Sequence, residues 1–204
     1  MPNAAPLKFY FDFISPFGYF ASLRIDDLAH RHGGMVEWHP MLLGVSVMKV
    51  MGLKPLMDTP LKGAYTLHDV RRYARLHGIQ LGHTFNGLPS HPLIMARAMC
   101  WAMKFHPTAA KSLAKAMLHA YWVLGCDLSS PESLGSIELP AAIRANELVQ
   151  AVQGEAAARL LRAEVRTSLE AGIFGSPTVV VDGEMFWGVD KFSELEHWLA
   201  TGGW

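Results

Sequence analysis

The sequence predicts an α/β protein whose mixed sheet is built from the two ends of the chain, a βαβ start and a ββα finish, with a block of helices inserted between them. Three observations predict it. Residues 9–28 (FYFDFISPFGYFASLRIDDL) pass from an aromatic run through Ser15-Pro16 into a helical pattern without a break. Residues 178–187 (TVVVDGEMFW) place a two-residue Asp-Gly turn between two short strand patterns. Between the ends, helical periods closed by Gly78, Gly125 and Gly172 follow one another.

Taken in order, Phe9, Phe11 and Phe13 alternate with Tyr10 and Asp12 and suit a short strand. Ser15 before Pro16 suits a helix N-terminus: the hydroxyl accepts an orphan N–H, and Pro loses nothing at the first helical position. The spacing predicts one helix to Gly33-Gly34 with Phe20, Leu23, Ile25 and Leu28 inward and Arg24, Asp26 and Asp27 outward. Residues 35–39 (MVEWH) alternate and end at Pro40, a second strand parallel to the first if the helix crosses over. An apolar helical piece over 42–52 and a loop over 53–60 (LKPLMDTP) come next. Helices are expected at 61–77, 90–105 with Ser90 as cap, 108–124, 139–152 and 155–171, with 79–89 irregular. After the hairpin, a last helix over 190–200 takes Asp190 as its cap. This order suits a thioredoxin-like fold in two halves, 1–40 and 173–204, with 41–172 as an inserted helical domain; helix 155–172 could belong to either.

A chain of 204 residues, half of them apolar, can bury a full core. Lys plus Arg and Asp plus Glu number 18 each and no basic cluster stands out, which argues against nucleic acid or an anionic membrane surface as partner. The start MPNAAPLKFYF lacks the charged and apolar regions of a signal peptide, and residues 41–53 are too short to span a bilayer, which takes roughly 20 apolar residues. A soluble cytoplasmic protein is expected. Cys100 and Cys126 belong to no C-x-x-C pair or zinc spacing, the ten His form no H-E-x-x-H, and metal binding is not expected. Met41, Met48 and Met51 could line an adaptable apolar pocket or fill the core.

Three stretches together resemble one family. YFDFISPFGYFA (10–21) resembles the strand-loop-helix signature of the 2-hydroxychromene-2-carboxylate isomerases and kappa-class glutathione transferases, relatives of the DsbA-type thiol oxidoreductases. GLKPLMDTPLKGAY (52–65) resembles their G-N-x-P-P…P-x-K-x-x-Y segment, and FGSPTVVVDGEMFWGVDK (174–191) their F-G-x-P-T…E-x-F-W-G-x-D-R segment. The resemblance implies glutathione as cofactor, a serine where the oxidoreductases keep a reactive cysteine, a facing cis proline and a homodimer. Carried over, Ser15 would hydrogen-bond the glutathione sulfur with Pro16 and Phe17 beside it. Ser176 before Pro177 would pair its backbone with the tripeptide as a strand edge does. Val189 and Asp190 would hold the γ-glutamyl end. Leu53 stands where the family has Asn, and Lys54 beside it would offer a cation to a substrate carboxylate.

The implied activity is glutathione-dependent isomerisation of a small aromatic compound, of the 2-hydroxychromene-2-carboxylate to o-hydroxybenzylidenepyruvate type. Thiolate addition, bond rotation and elimination would carry it out, with Ser15 as catalytic residue. Other readings stand beside it: a kappa-type transferase, a DsbA-like oxidoreductase, which lacks its thiol at Ser15, and a noncatalytic glutathione-binding protein, which Leu53 would suit. From the residues alone, Ser15 reads first as a plain N-cap, Asp190 equally as cap or ligand, and Pro177 as a strand-opening proline.

Overall fold

In a computed structural model, which describes residues 6–82, 85 and 92–204, the described residues form one four-stranded sheet and nine α-helices. Strand β1 (Leu7–Phe11) runs parallel to β2 (Val36–Pro40) and antiparallel to β3 (Thr178–Val181), and β4 (Glu184–Trp187) pairs antiparallel with β3. The order β2-β1-β3-β4 makes β1 a central strand, which explains its aromatic run: Phe9, Tyr10 and Phe11 are all buried, so both faces of the strand are covered. Asp182 and Gly183 join β3 to β4 with φ of 53° and 88°, the left-handed pair that a two-residue hairpin turn requires.

Helices α1 (Pro16–Ser22) and α2 (Ile25–Arg31) connect β1 to β2. Between β2 and β3 come α3 (Lys62–Leu76), α4 (Leu93–Phe105), α5 (Pro107–Trp122), α6 (Pro131–Gly135), α7 (Ala145–Gln153) and α8 (Glu155–Glu170), and α9 (Phe192–Thr201) closes the fold. One buried cluster joins the two regions, with Phe13, Tyr19 and Phe20 packed in the same core as Trp122 of α5 and Val179 of β3. Each such aromatic contributes on the order of 2 kcal/mol by leaving water. Trp122 also stacks on Tyr19 at 6.0 Å, and its Nε1–H donates to the Phe13 carbonyl at 2.9 Å, which ties the inserted helices to the loop after β1. Tyr10, Met41 and Ile173 form a smaller cluster of their own.

The helix expected from Ser15 to Gly33 is two helices. Ser22 Oγ donates to the Tyr19 carbonyl at 2.6 Å, a local bond that competes with the helical ladder, and the chain turns at Leu23-Arg24, leaving Leu23 51% exposed instead of inward. Residues 42–52 contain a π-helix, Gly44–Val50, and the loop 53–60 contains one 3₁₀ turn, Leu56–Asp58. The helix expected over 139–152 begins only at Ala145, because residues up to Arg144 form a turn around Pro140, whose carbonyl accepts Ile143 N–H at 2.8 Å. Helix α6 was not anticipated; Ser130 caps it by accepting Ser133 N–H at 3.1 Å. Ser90, the expected cap of the helix that is seen at Leu93–Phe105, lies outside the described residues. Of the three methionines singled out, Met41 is buried while Met48 and Met51 are exposed. No helix among the described residues is long and apolar enough to cross a membrane.

Candidate functional site

Ser15 is the N-cap of α1. With φ −84° and ψ 116° it lies in extended backbone, and its Oγ accepts Gly18 N–H at 3.0 Å. The same hydroxyl donates to the carbonyl of Ser176, 161 residues away, at 3.1 Å. Ser15 is only 4% exposed. The Ser176–Pro177 peptide is cis, as the family resemblance implied. Pro16 and Phe17 follow Ser15 on the first turn, both partly buried, and Pro177 is buried.

The approach of these two segments depends on Gly18. A Cβ there would meet Ser176 Oγ at 2.7 Å, Ser15 Cβ at 3.1 Å and the Asp12 carbonyl at 3.2 Å, so a hydrogen is all the space admits. The third segment is anchored to the second, since Gly188 N–H donates to the Pro177 carbonyl at 2.9 Å and the 3₁₀ turn Val189–Lys191 packs against α1. Val189 is buried there and Asp190 is exposed. Asp190 is not the cap expected of it. Gly188 turns the chain with φ 109° and a full 3₁₀ turn precedes α9, so Lys191 occupies the N-cap position without a side-chain capping bond, and the Asp190 carboxylate folds back over Gly188.

The structure thus brings together Ser15, Pro16, Phe17, Ser176, Pro177, Val189 and Asp190. Leu53 and Lys54 are exposed, Leu53 at 57%, after the π-helix, with Leu53 N–H bonded to the Val47 carbonyl at 3.0 Å; no hydrogen bond or ion pair among the described residues joins either to Ser15, Ser176 or Asp190. Cys100 is buried, and burial first, then the charge of Glu164, pushes its thiol far up, away from reactivity.

Sequence reasoning missed Asp12. It is wholly buried at the end of β1, and all its polar atoms are engaged. Its N–H donates to Ser176 Oγ at 2.9 Å and its carbonyl accepts Ser15 N–H at 3.0 Å. Oδ1 accepts Ile14 N–H at 3.1 Å and Oδ2 accepts Leu43 N–H at 2.7 Å. Burial raises its carboxyl to about 6, against the two N–H bonds, which favour the charged form. An acid inside an aromatic run reads as plain alternation; the available signal was that a strand apolar on both faces is central, which buries the acid too.

Chemically, the site offers a hydroxyl beside a backbone edge. Ser176 N–H has no hydrogen-bond partner among the described residues and is only partly buried, so an extended peptide could pair with it. That free N–H, next to a hydroxyl able to point at a sulfur, fits a thiol-bearing peptide such as glutathione.

The chain is 28% identical over 197 residues to the 2-hydroxychromene-2-carboxylate isomerase of Sphingobium xenophagum, covering 95% of this chain and 97% of that one. It is 25% identical to glutathione S-transferase kappa 1 of Caenorhabditis elegans over 94% and 89% of the two chains. A solved structure of a 2-hydroxychromene-2-carboxylate isomerase superposes with a TM-score of 0.77 at 25% identity, covering 95% of this chain and 94% of that one. The model of the DsbA-like thioredoxin domain matches residues 6–200, nearly the whole chain, and the protein belongs to that family.

Proposed function

We propose that this protein is a glutathione-dependent isomerase of an aromatic-catabolism intermediate, acting on a 2-hydroxychromene-2-carboxylate or a close analogue. The observation that carries the reading is the pairing of Ser15 Oγ with the Ser176 backbone at 3.1 Å, beside a Ser176 N–H that has no partner among the described residues. The names borne by the relatives support it. When bound, glutathione would supply a thiol whose ionised form is a nucleophile given back unchanged, the chemistry by which a double bond of the ring-opened keto acid could be made single for rotation without net redox change.

The chain's own residues then have definite tasks. Ser176 takes up the tripeptide backbone, with Pro16, Phe17 and Pro177 as walls. Asp190, exposed at the turn that Val189 anchors, meets the γ-glutamyl ammonium. Ser15 turns its hydroxyl hydrogen from the Ser176 carbonyl to the sulfur, which favours the ionised thiol. Lys54 reaches the substrate carboxylate, with Leu53 beside it as apolar surface. The same reading carries a homodimer and a cytoplasmic location, where reduced glutathione is abundant.

The test is calorimetry with reduced glutathione followed by turnover of the chromene carboxylate with and without it. One glutathione per chain and turnover that requires it are expected. No heat at millimolar glutathione, together with no change in melting temperature, removes the reading. A kappa-type transferase would share the glutathione half of the site, and the product separates the two: a stable conjugate for the transferase, regenerated glutathione for the isomerase.

A further inference from the structure

Asp12 is a buried acid that the chemistry above does not use, and it is bonded to both Ser15 and Ser176. Through its backbone it holds both Ser15, by the N–H bond to its carbonyl at 3.0 Å, and Ser176, by its own N–H to Oγ at 2.9 Å. Through its side chain it holds Ile14 and, across 31 residues of sequence, Leu43, which leads into the π-helix and the 53–54 turn. The two side-chain partners are both donors, at 3.1 and 2.7 Å, so both oxygens must accept. A carboxyl group does this with both oxygens; an amide would turn an N–H₂ toward one of the N–H groups.

The surroundings contain no compensating charge. The carboxylate is bonded by the backbone N–H groups of Ile14 and Leu43, the Ser176 hydroxyl meets the backbone of Asp12 and not its side chain, and no charged side chain among the described residues contributes to its ionisation. A negative charge arriving at Ser15, three residues away, is therefore felt by Asp12 without a cation to absorb it.

We propose that Asp12 is a positioning residue for the thiol site: it sets the register of Ser15 against Ser176, and its own proton is linked to that of the thiol held at Ser15. The proposal rests on the glutathione reading above. Linkage is reciprocal, so an ionised thiol raises the affinity of Asp12 for its proton as much as an ionised Asp12 raises that of the thiol.

The experiment uses the full wild-type chain labelled with ¹³C at aspartate side-chain carboxyls, titrated by NMR alone, with reduced glutathione, and with S-methylglutathione, which has the peptide but no ionisable thiol. Asp12 is identified as the aspartate signal that is lost in Asp12→Asn. The expected result is a midpoint near 6 in the free protein, about one pH unit higher with reduced glutathione, and unmoved with S-methylglutathione. A purely structural Asp12 would titrate alike with both ligands, and that outcome, with calorimetry showing both bound, overturns this proposal while leaving the glutathione reading intact. Absence of binding by calorimetry overturns both.

Discussion

Replacing Ser15 by alanine separates the structural from the chemical work of its hydroxyl. The substitution deletes the bond that Oγ accepts from Gly18 N–H at 3.0 Å and the bond it donates to the Ser176 carbonyl at 3.1 Å. Loss of an N-cap costs about 1 kcal/mol. The second bond adds about 1 kcal/mol, because the Ser176 carbonyl lies in a partly buried loop. Together, about 2 kcal/mol corresponds to a fall in Tm of about 4–8 °C for a chain of this size. The effect on the ligand is smaller than a free hydroxyl would give, since Ser15 has one hydrogen and must withdraw it from Ser176 to offer it to sulfur. A rise of about one unit in the pKa of bound glutathione, worth about 1.4 kcal/mol, is expected, with turnover near neutral pH slowed about tenfold. Scanning calorimetry reads the first effect, and thiolate absorbance of bound glutathione read against pH gives the second. A lowered Tm with an unchanged thiol titration and unchanged turnover would reduce Ser15 to a helix cap. An unchanged Tm would refute the two-bond account itself.

Gly18→Ala should widen the site. The added methyl is favourable in a helix by up to about 1 kcal/mol, but it meets Ser176 Oγ at 2.7 Å, and overpacking of this kind costs about 1–3 kcal/mol. The expected outcome is near-neutral to mildly lowered stability with glutathione affinity reduced about tenfold or more; affinity equal to wild type in a titration would sink the argument. Asp12 should impose a pH dependence on folding. Its folded carboxyl titrates at about 6 against an ordinary 3.8, so between these values the folded chain holds the proton more tightly than the unfolded chain. Its contribution therefore declines as pH rises from about 4 to about 6, by roughly 3 kcal/mol, and levels off above. Urea unfolding of the wild type and Asp12→Asn at pH 4.5 and 7 should show the wild type losing stability relative to the variant as pH rises; parallel profiles would contradict it.

Much of the fold was legible because it is written in local chemistry. Gly78, Gly125 and Gly172 lie just past the ends of α3, α5 and α8 with φ of 64°, 68° and 77°, where a glycine stop places them, and Asp182-Gly183 forms the expected hairpin turn. What was not legible depends on partners distant in sequence or on a single competing hydroxyl. Ser22 breaks the first helix through one bond to Tyr19, which the apolar spacing of Leu23 and Ile25 masks. Asp12 is accounted for by the Leu43 N–H, a donor that no pattern around residue 12 announces. The candidate site was half legible for the same reason. Ser15 and the Ser176–Pro177 pair were named through family resemblance, but that their groups bond directly, and that the hydroxyl is already committed, follows only from the folded arrangement. Asp190 was assigned to a cap because acid before a helical run usually is one. The 3₁₀ turn displaced it.

The strand order also governs what the ribosome must protect. β1 lies between β2, whose last residue is Pro40, and β3, whose first is Thr178, so its second neighbour is made 138 residues after its first is complete. At about 5–20 residues per second that interval is roughly 7–28 s. Throughout it, one edge of an aromatic strand is without its partner, open to pairing with another nascent chain. Lys8 is the one charge in LKFYF, exposed and aligned with Val180, and it stands on that edge until Val180 arrives to cover it.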